Sequence, residues 1–128
     1  MAAENSIRDK SKSFAIRIVH LSQYLQDKFH EFVLSRQVLK SGTSIGANVR
    51  ESRNAQSISD FISKLEIALK ESDETEYWLE ILHETKYISD DEFDSMIKDN
   101  KELTAMLVSI VKSSKKKRDS EKNKLNHN

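Results

Sequence analysis

A chain of 128 residues in which 37% are apolar has room for one core, not two. It has no Pro, no Cys and two Gly, Gly42 and Gly46, which excludes disulfides and thiolate metal sites and removes the residues that usually build hairpins. Lys and Arg balance Asp and Glu at 21 each, and no apolar run approaches the ~20 residues a bilayer-crossing helix needs, so a cytoplasmic protein made of long helices, with no membrane span, is expected.

The balanced total hides a segregation of charge. Residues 1–50 carry eight Lys/Arg against four Asp/Glu, a net of +4; residues 51–110 carry six against fifteen, a net of −9; residues 111–128 carry seven against two, a net of +5. An electrostatic partner would meet separate faces rather than the average.

The first helix is predicted over about residues 6–29. Ile7, Phe14, Ile18, Leu21 and Leu25 follow at steps of seven, four, three and four, the 3.5-residue seam of bundle packing. Its outer face carries Arg8, Lys10, Lys12, Arg17 and Lys28.

The second helix is predicted over about residues 36–54, with a thin stripe of Val38, Ile45 and Val49. Both glycines fall inside it, four residues apart, among Ser41, Thr43, Ser44 and Ala47. Two interior glycines cost a helix roughly 2 kcal/mol relative to Ala, so either they allow another helix backbone to come close or the helix breaks there.

Ser57 with Asp60 resembles a capping box, and the third helix is predicted over 58–86, with Ile58, Phe61, Ile62, Leu65, Ala68, Leu69, Thr75, Leu79 and Leu82 on a broad face. Ser89 with Glu92 is a cleaner box, and Asp90 and Asp91 favour the positive end of a helix dipole. The fourth helix is predicted over 90–112 through Phe93, Met96, Ile97, Leu103, Leu107, Ile110 and Val111. Residues 113–128 are polar and rich in Lys, Ser and Asn, and a frayed or disordered basic tail is expected. Four such helices make an all-α, up-down-up-down four-helix bundle over residues 1–112. A three-helix bundle with a broken second helix is the alternative.

No catalytic, cofactor or metal site is predicted. Glu80 and His83 have the i,i+3 spacing used in di-iron bundles, but their one counterpart, Asp27 with His30, has Asp for Glu and sits at a helix end. The serines lack a nucleophile-elbow context, and two glycines cannot build a phosphate loop.

Polar residues beside the stripes are more informative. Ser41, Ser44, Asn48 and Glu51 run along the second helix at steps of three, four and three, and Ser72 and Glu76 interrupt the third helix's seam. Such residues suit a hydrogen-bonded layer that fixes register and oligomer state. Of the adjacent Tyr77 and Trp78, one must lie off the core stripe, which suits an interface between copies.

The run Arg36-Gln37-Val38-Leu39-Lys40-Ser41-Gly42-Thr43-Ser44-Ile45-Gly46-Ala47-Asn48-Val49-Arg50-Glu51-Ser52, with Asp60-Phe61-Ile62 and Ala68-Leu69-Lys70-Glu71-Ser72-Asp73-Glu74-Thr75-Glu76-Tyr77-Trp78-Leu79, resembles the 23S rRNA-intervening-sequence proteins, also called S23-type proteins. The resemblance covers about residues 8–112. It implies a bundle that assembles as a ring-shaped homopentamer without known enzymatic activity. A related branch, the accessory variability protein of diversity-generating retroelements, binds nucleic acid and a reverse transcriptase through a basic surface.

The resemblance marks Gln37, Ser41, Ser44, Asn48, Glu51, Glu71 and Ser72 as a polar interface set, to which the seam position adds Glu76. Candidate contacts to RNA or DNA are Arg8, Lys10, Lys12, Arg17, Lys115, Lys116, Lys117 and Arg118, the exposed basic residues of the first helix and tail. The other expectation is a protein scaffold whose acidic face, with Glu74, Glu80 and Glu84, recruits a basic partner such as a polymerase.

Overall fold

Helix α1 spans Ala2–Phe29, α2 Leu34–Ser52, α3 Ile58–Glu84 and α4 Asp90–His127. These come from a computed structural model that describes the backbone of residues 2–127 and the side chains of residues 6–126. Each helix packs on the next in the chain, and α4 returns to α1, the least closely packed of the neighbouring pairs. The arrangement is an all-helical four-helix bundle. Among the described residues no helix is long and apolar enough to cross a membrane.

The predicted stripes form the core. Ile7, Phe14, Ile18, Leu21 and Leu25 of α1 are buried, as are Val38, Ile45 and Val49 of α2, Ile62, Leu65, Ala68, Leu79 and Leu82 of α3, and Met96, Leu103, Leu107 and Val111 of α4. Burying each large side chain contributes about 1.5–3 kcal/mol, which offsets the modest helix propensity of the β-branched members.

α2 runs unbroken through both glycines. A β-carbon on Gly42 would stand 2.7 Å from Cγ1 and 2.8 Å from Cγ2 of Ile18, and one on Gly46 would stand 3.3 Å from the carbonyl oxygen of Ser11. The small-residue seam is therefore filled by α1 of the same chain, rather than left for a neighbouring copy. Close packing of α1 on α2 compensates the helix-propensity cost of the two glycines.

Helix ends follow local chemistry. Ser57 Oγ accepts from the amide of Asp60 at 3.0 Å, and Ser89 Oγ accepts from the amide of Glu92 at 3.1 Å while Glu92 Oε1 accepts from Ser89. α2 begins two residues before its predicted start, where the Glu31 carboxylate accepts from the amide of Ser35 at 2.9 Å. With no glycine available, His30 and Lys86 adopt the left-handed conformation after α1 and α3, at φ 53° and 68°. Each closes its helix: Glu31 N donates to Leu25 O, and Tyr87 N donates to Leu82 O.

α4 departs most from expectation. It is helical to His127, where a frayed or disordered tail is expected from residue 113. Lys, Arg and Glu are good helix formers and no Gly or Pro intervenes, so nothing in the sequence stops propagation. Packing also helps, because Ser114, Lys115 and Arg118 are half-buried and Lys115 Nζ meets Glu66 of α3 at 3.1 Å. Residues 121–126 are exposed throughout.

Polar groups supplement the looser α1–α4 seam. Lys10 Nζ donates to Glu102 at 2.8 Å, and Arg17 bonds Asp99 and Ser95. The hydrogen bond to Glu102 holds the Lys10 ammonium above its ordinary pKa, and the same bond holds the Glu102 carboxyl below its own. The stability from Glu102 is present above the ordinary carboxylate range and is lost as pH falls through its lowered pKa. That from Lys10 is present below the ordinary lysine range and is lost as pH rises through its raised pKa. Both partners are exposed, so the effect is small and screened by salt. Lys10→Met should lower the urea midpoint slightly at neutral pH, and the gap from wild type should close below about pH 4.

Candidate nucleic-acid interface and internal polar layer

The basic residues of α1 divide according to the helix they face. Lys10 and Arg17 point into the α1–α4 seam, where carboxylates neutralise them. Arg8 and Lys12, one helical turn apart, open instead onto a groove between α1 and α2. Arg50 of α2 joins them there. Ser11, Ala15, Thr43, Gly46 and Ala47 complete the lining, so the side chains that let the helices approach also make the groove, about 320 Å³ in volume.

Three cationic side chains thus converge on one groove, a geometry that suits phosphate oxygens. Arg53 lies one turn beyond Arg50, at the same end of the bundle, in an adjoining cavity that shares Arg8. Of the predicted basic set, the structure brings Arg8 and Lys12 together and pairs Lys10 and Arg17 with carboxylates of α4. Arg50 and Arg53 are members that the sequence reasoning missed. Their signal was present, since an i,i+3 arginine pair closes α2, but the antiparallel topology was needed to place it beside Arg8.

The tail residues are mixed. Lys115 is paired with Glu66 and Arg118 with Asp119 at 3.3 Å, while Lys116 and Lys117 are exposed. All lie on α4 toward the end of the bundle at which α3 begins, the end that carries Arg50 and Arg53, with Lys115 still alongside α3. The opposite end bears Asp90, Asp91, Glu92 and Asp94 in the first turns of α4. The bundle is therefore electrostatically polar along its axis.

The predicted polar set also divides. Ser41 and Ser72 are buried between helices: Thr75 Oγ1 lies 2.9 Å from Ser41 Oγ, and Ser72 Oγ lies 3.0 Å from Asn100 Oδ1 and 2.6 Å from Thr104 Oγ1. Asn100 Nδ2 donates to the Ser72 carbonyl at 2.9 Å. Thr75, Asn100 and Thr104 thus complete a layer that joins α2, α3 and α4.

The remaining members face outward. Gln37 and Glu51 are exposed, and Glu51 pairs with Lys64 of α3 at 3.3 Å. Ser44 and Asn48, half-buried, donate to carbonyls of their own helix, Lys40 and Ser44. Glu71 is pushed above the usual carboxylate range, first by desolvation and then by Glu74, against the opposing pull of Lys70 and Lys40. Glu76 makes no hydrogen bond among the described residues. Most of this set therefore belongs to an outer α2–α3 face, beside Ile67, which is 40% exposed.

Of the aromatic pair, Tyr77 is the outward one at 56% exposure, while Trp78 is half-buried. The two rings meet edge to face at 5.1 Å, and the buried Trp78 indole N–H has no hydrogen-bond partner among the described residues. His83 stacks on Phe93 at 4.2 Å and meets Asp90 at 2.6 Å. Among the described residues no three His, Asp or Glu side chains converge as a metal site would require.

Residues 3–109 match the family described as 23S rRNA-intervening sequence protein. The chain is also similar to a crystal structure of a protein with unknown function from the S23 ribosomal protein family of Bacteroides thetaiotaomicron VPI-5482. The two share 53% sequence identity with a TM-score of 0.85, over 86% of this chain and 98% of that one. Among curated proteins no match is found.

Proposed function

Given that the chain belongs to the 23S rRNA-intervening sequence protein family, we propose that it is a non-enzymatic, homo-oligomeric bundle that holds nucleic acid by its phosphates. The observation that carries this reading is the convergence of Arg8, Lys12 and Arg50 on one groove at the basic end of the bundle. Arg53 and the exposed Lys116 and Lys117 extend the positive surface from there. Among the described residues the groove offers no aromatic ring for base stacking, so the contact is to backbone phosphate and independent of sequence.

Filter binding of a structured RNA at low salt tests it. Wild type should retain the RNA, and a Lys12→Glu, Arg50→Glu double variant should weaken retention at least about tenfold, from the loss of two phosphate contacts. Lys10→Ala should bind like wild type, because its ammonium already engages Glu102. Absence of retention, or equal losses in the two variants, would exclude the groove as the contact.

The outer α2–α3 face supports the oligomeric part of the reading. It combines exposed Ile67, the half-buried Ser44 and Asn48, and a Glu71 carboxylate already partly desolvated. A second copy there would bury the isoleucine and give the outward amides and hydroxyls partners. A pentamer is the assembly expected. Light scattering coupled to gel filtration should give a multiple of the 14.8 kDa chain mass, and Ile67→Glu should reduce it to that mass. A wild type of 14.8 kDa would end this part.

A further inference from the structure

Beside the phosphate groove, the same end of the bundle contains a deeper cavity of about 410 Å³. Its volume falls within the ~300–1,000 Å³ range of small-molecule sites. Ile7, Val49 and Leu65, each at most 3% exposed, form its floor, and Phe61 and Ile110 line it further. Arg8, whose Nε meets Asp9 at 3.5 Å, and Arg53 supply its charged groups among the described residues. Among the described residues Arg53 has no carboxylate partner.

The polar lining is largely committed elsewhere. Ser52 donates its hydroxyl proton to the Val49 carbonyl at 2.6 Å, and the Ser57 oxygen caps α3. Little remains to read the edge of a nucleobase, whereas a hydrocarbon body would meet branched aliphatic groups and one aromatic ring. Two guanidinium groups beside an apolar floor are the complement of an amphipathic anion.

We propose that this cavity binds a small amphipathic anion, with its carboxylate or phosphate head between Arg8 and Arg53 and its hydrocarbon body on Ile7, Phe61 and Leu65. The site is separate from the phosphate groove except for Arg8, and it would stand if RNA binding failed.

Calorimetric titration of the full chain with 4-phenylbutyrate, and with its uncharged analogue 4-phenylbutan-1-ol, tests this. The acid should bind saturably at one site per chain, and more tightly than the alcohol. Arg53→Gln should weaken the acid about tenfold, the effect of losing one charge-assisted hydrogen bond, and leave the alcohol unchanged. Ile110→Trp, which fills the cavity, should weaken both. The Lys12→Glu, Arg50→Glu variant should keep its affinity for the acid, which separates this site from the RNA groove. Absence of saturable binding, or equal affinity of wild type and Arg53→Gln for the acid, would overturn the proposal.

Discussion

Gly42→Leu should destabilise the chain by about 3 kcal/mol, although it replaces a poor helix former with a good one. In an exposed helix the change would gain nearly 1 kcal/mol. Here the first added carbon already falls 2.7 and 2.8 Å from the two γ-carbons of Ile18, a residue with no solvent exposure. Those carbons are bonded directly to the β-carbon of a branched side chain, which has one strongly preferred rotamer in a helix and cannot swing aside. Gly42→Ala should cost about 1 kcal/mol, the excess of overpacking over propensity. At Gly46 the nearest atom is 3.3 Å away, and Ala should lie within about 0.5 kcal/mol of wild type. Urea unfolding followed by helical circular dichroism measures all three, and adding Ile18→Ala to Gly42→Leu should restore part of the loss by conserving volume.

Asn100→Ala should cost about 3 kcal/mol, from the lost packing and from the polar groups left behind. Asn100 is 2% exposed and holds Ser72 through both its amide oxygen and its amide nitrogen. Asn100→Leu keeps the volume and should cost about 2 kcal/mol, since Ser72 retains only Thr104 for its hydroxyl. Adding Ser72→Ala removes the hydroxyl that has lost its Asn100 partner, so the double variant should be more stable than the sum of the single losses predicts. Additive losses in that cycle would show that the two side chains act separately.

The apolar stripes and capping boxes were legible because they depend on spacing along one helix. The close approach at Gly42 and Gly46 was legible too, since interior glycines in a helix demand a reason, although the choice between close packing and a break required the structure. Asn100 was not: it lies on the stripe between Met96 and Leu103, where an isolated amide reads as surface until Ser72 is brought opposite. The fates of Lys10 and Arg17 also depended on topology, because their partners lie 92 and 82 residues away. Residues 113–127 misled for a different reason. Their polarity predicts disorder, whereas continuity with α4 and the contact of Lys115 with Glu66 favour helix.

The arrangement also explains how a chain with no net charge can present a cationic surface. Carboxylates of α3 and α4 neutralise Lys10, Arg17 and Lys115. The groove cations Lys12 and Arg50 have no carboxylate partner among the described residues, Arg8 meets only its chain neighbour Asp9 at 3.5 Å, and the one acid of α2, Glu51, is paired with Lys64 of α3. Position, rather than composition, sets the local field.

The most direct test is the salt dependence of RNA affinity. The logarithm of the association constant should fall linearly with the logarithm of salt concentration, and Arg50→Gln should make the slope shallower by about one while Lys10→Gln leaves it unchanged. Identical slopes for wild type and Arg50→Gln would contradict the assignment of the α1–α2 groove as the phosphate contact.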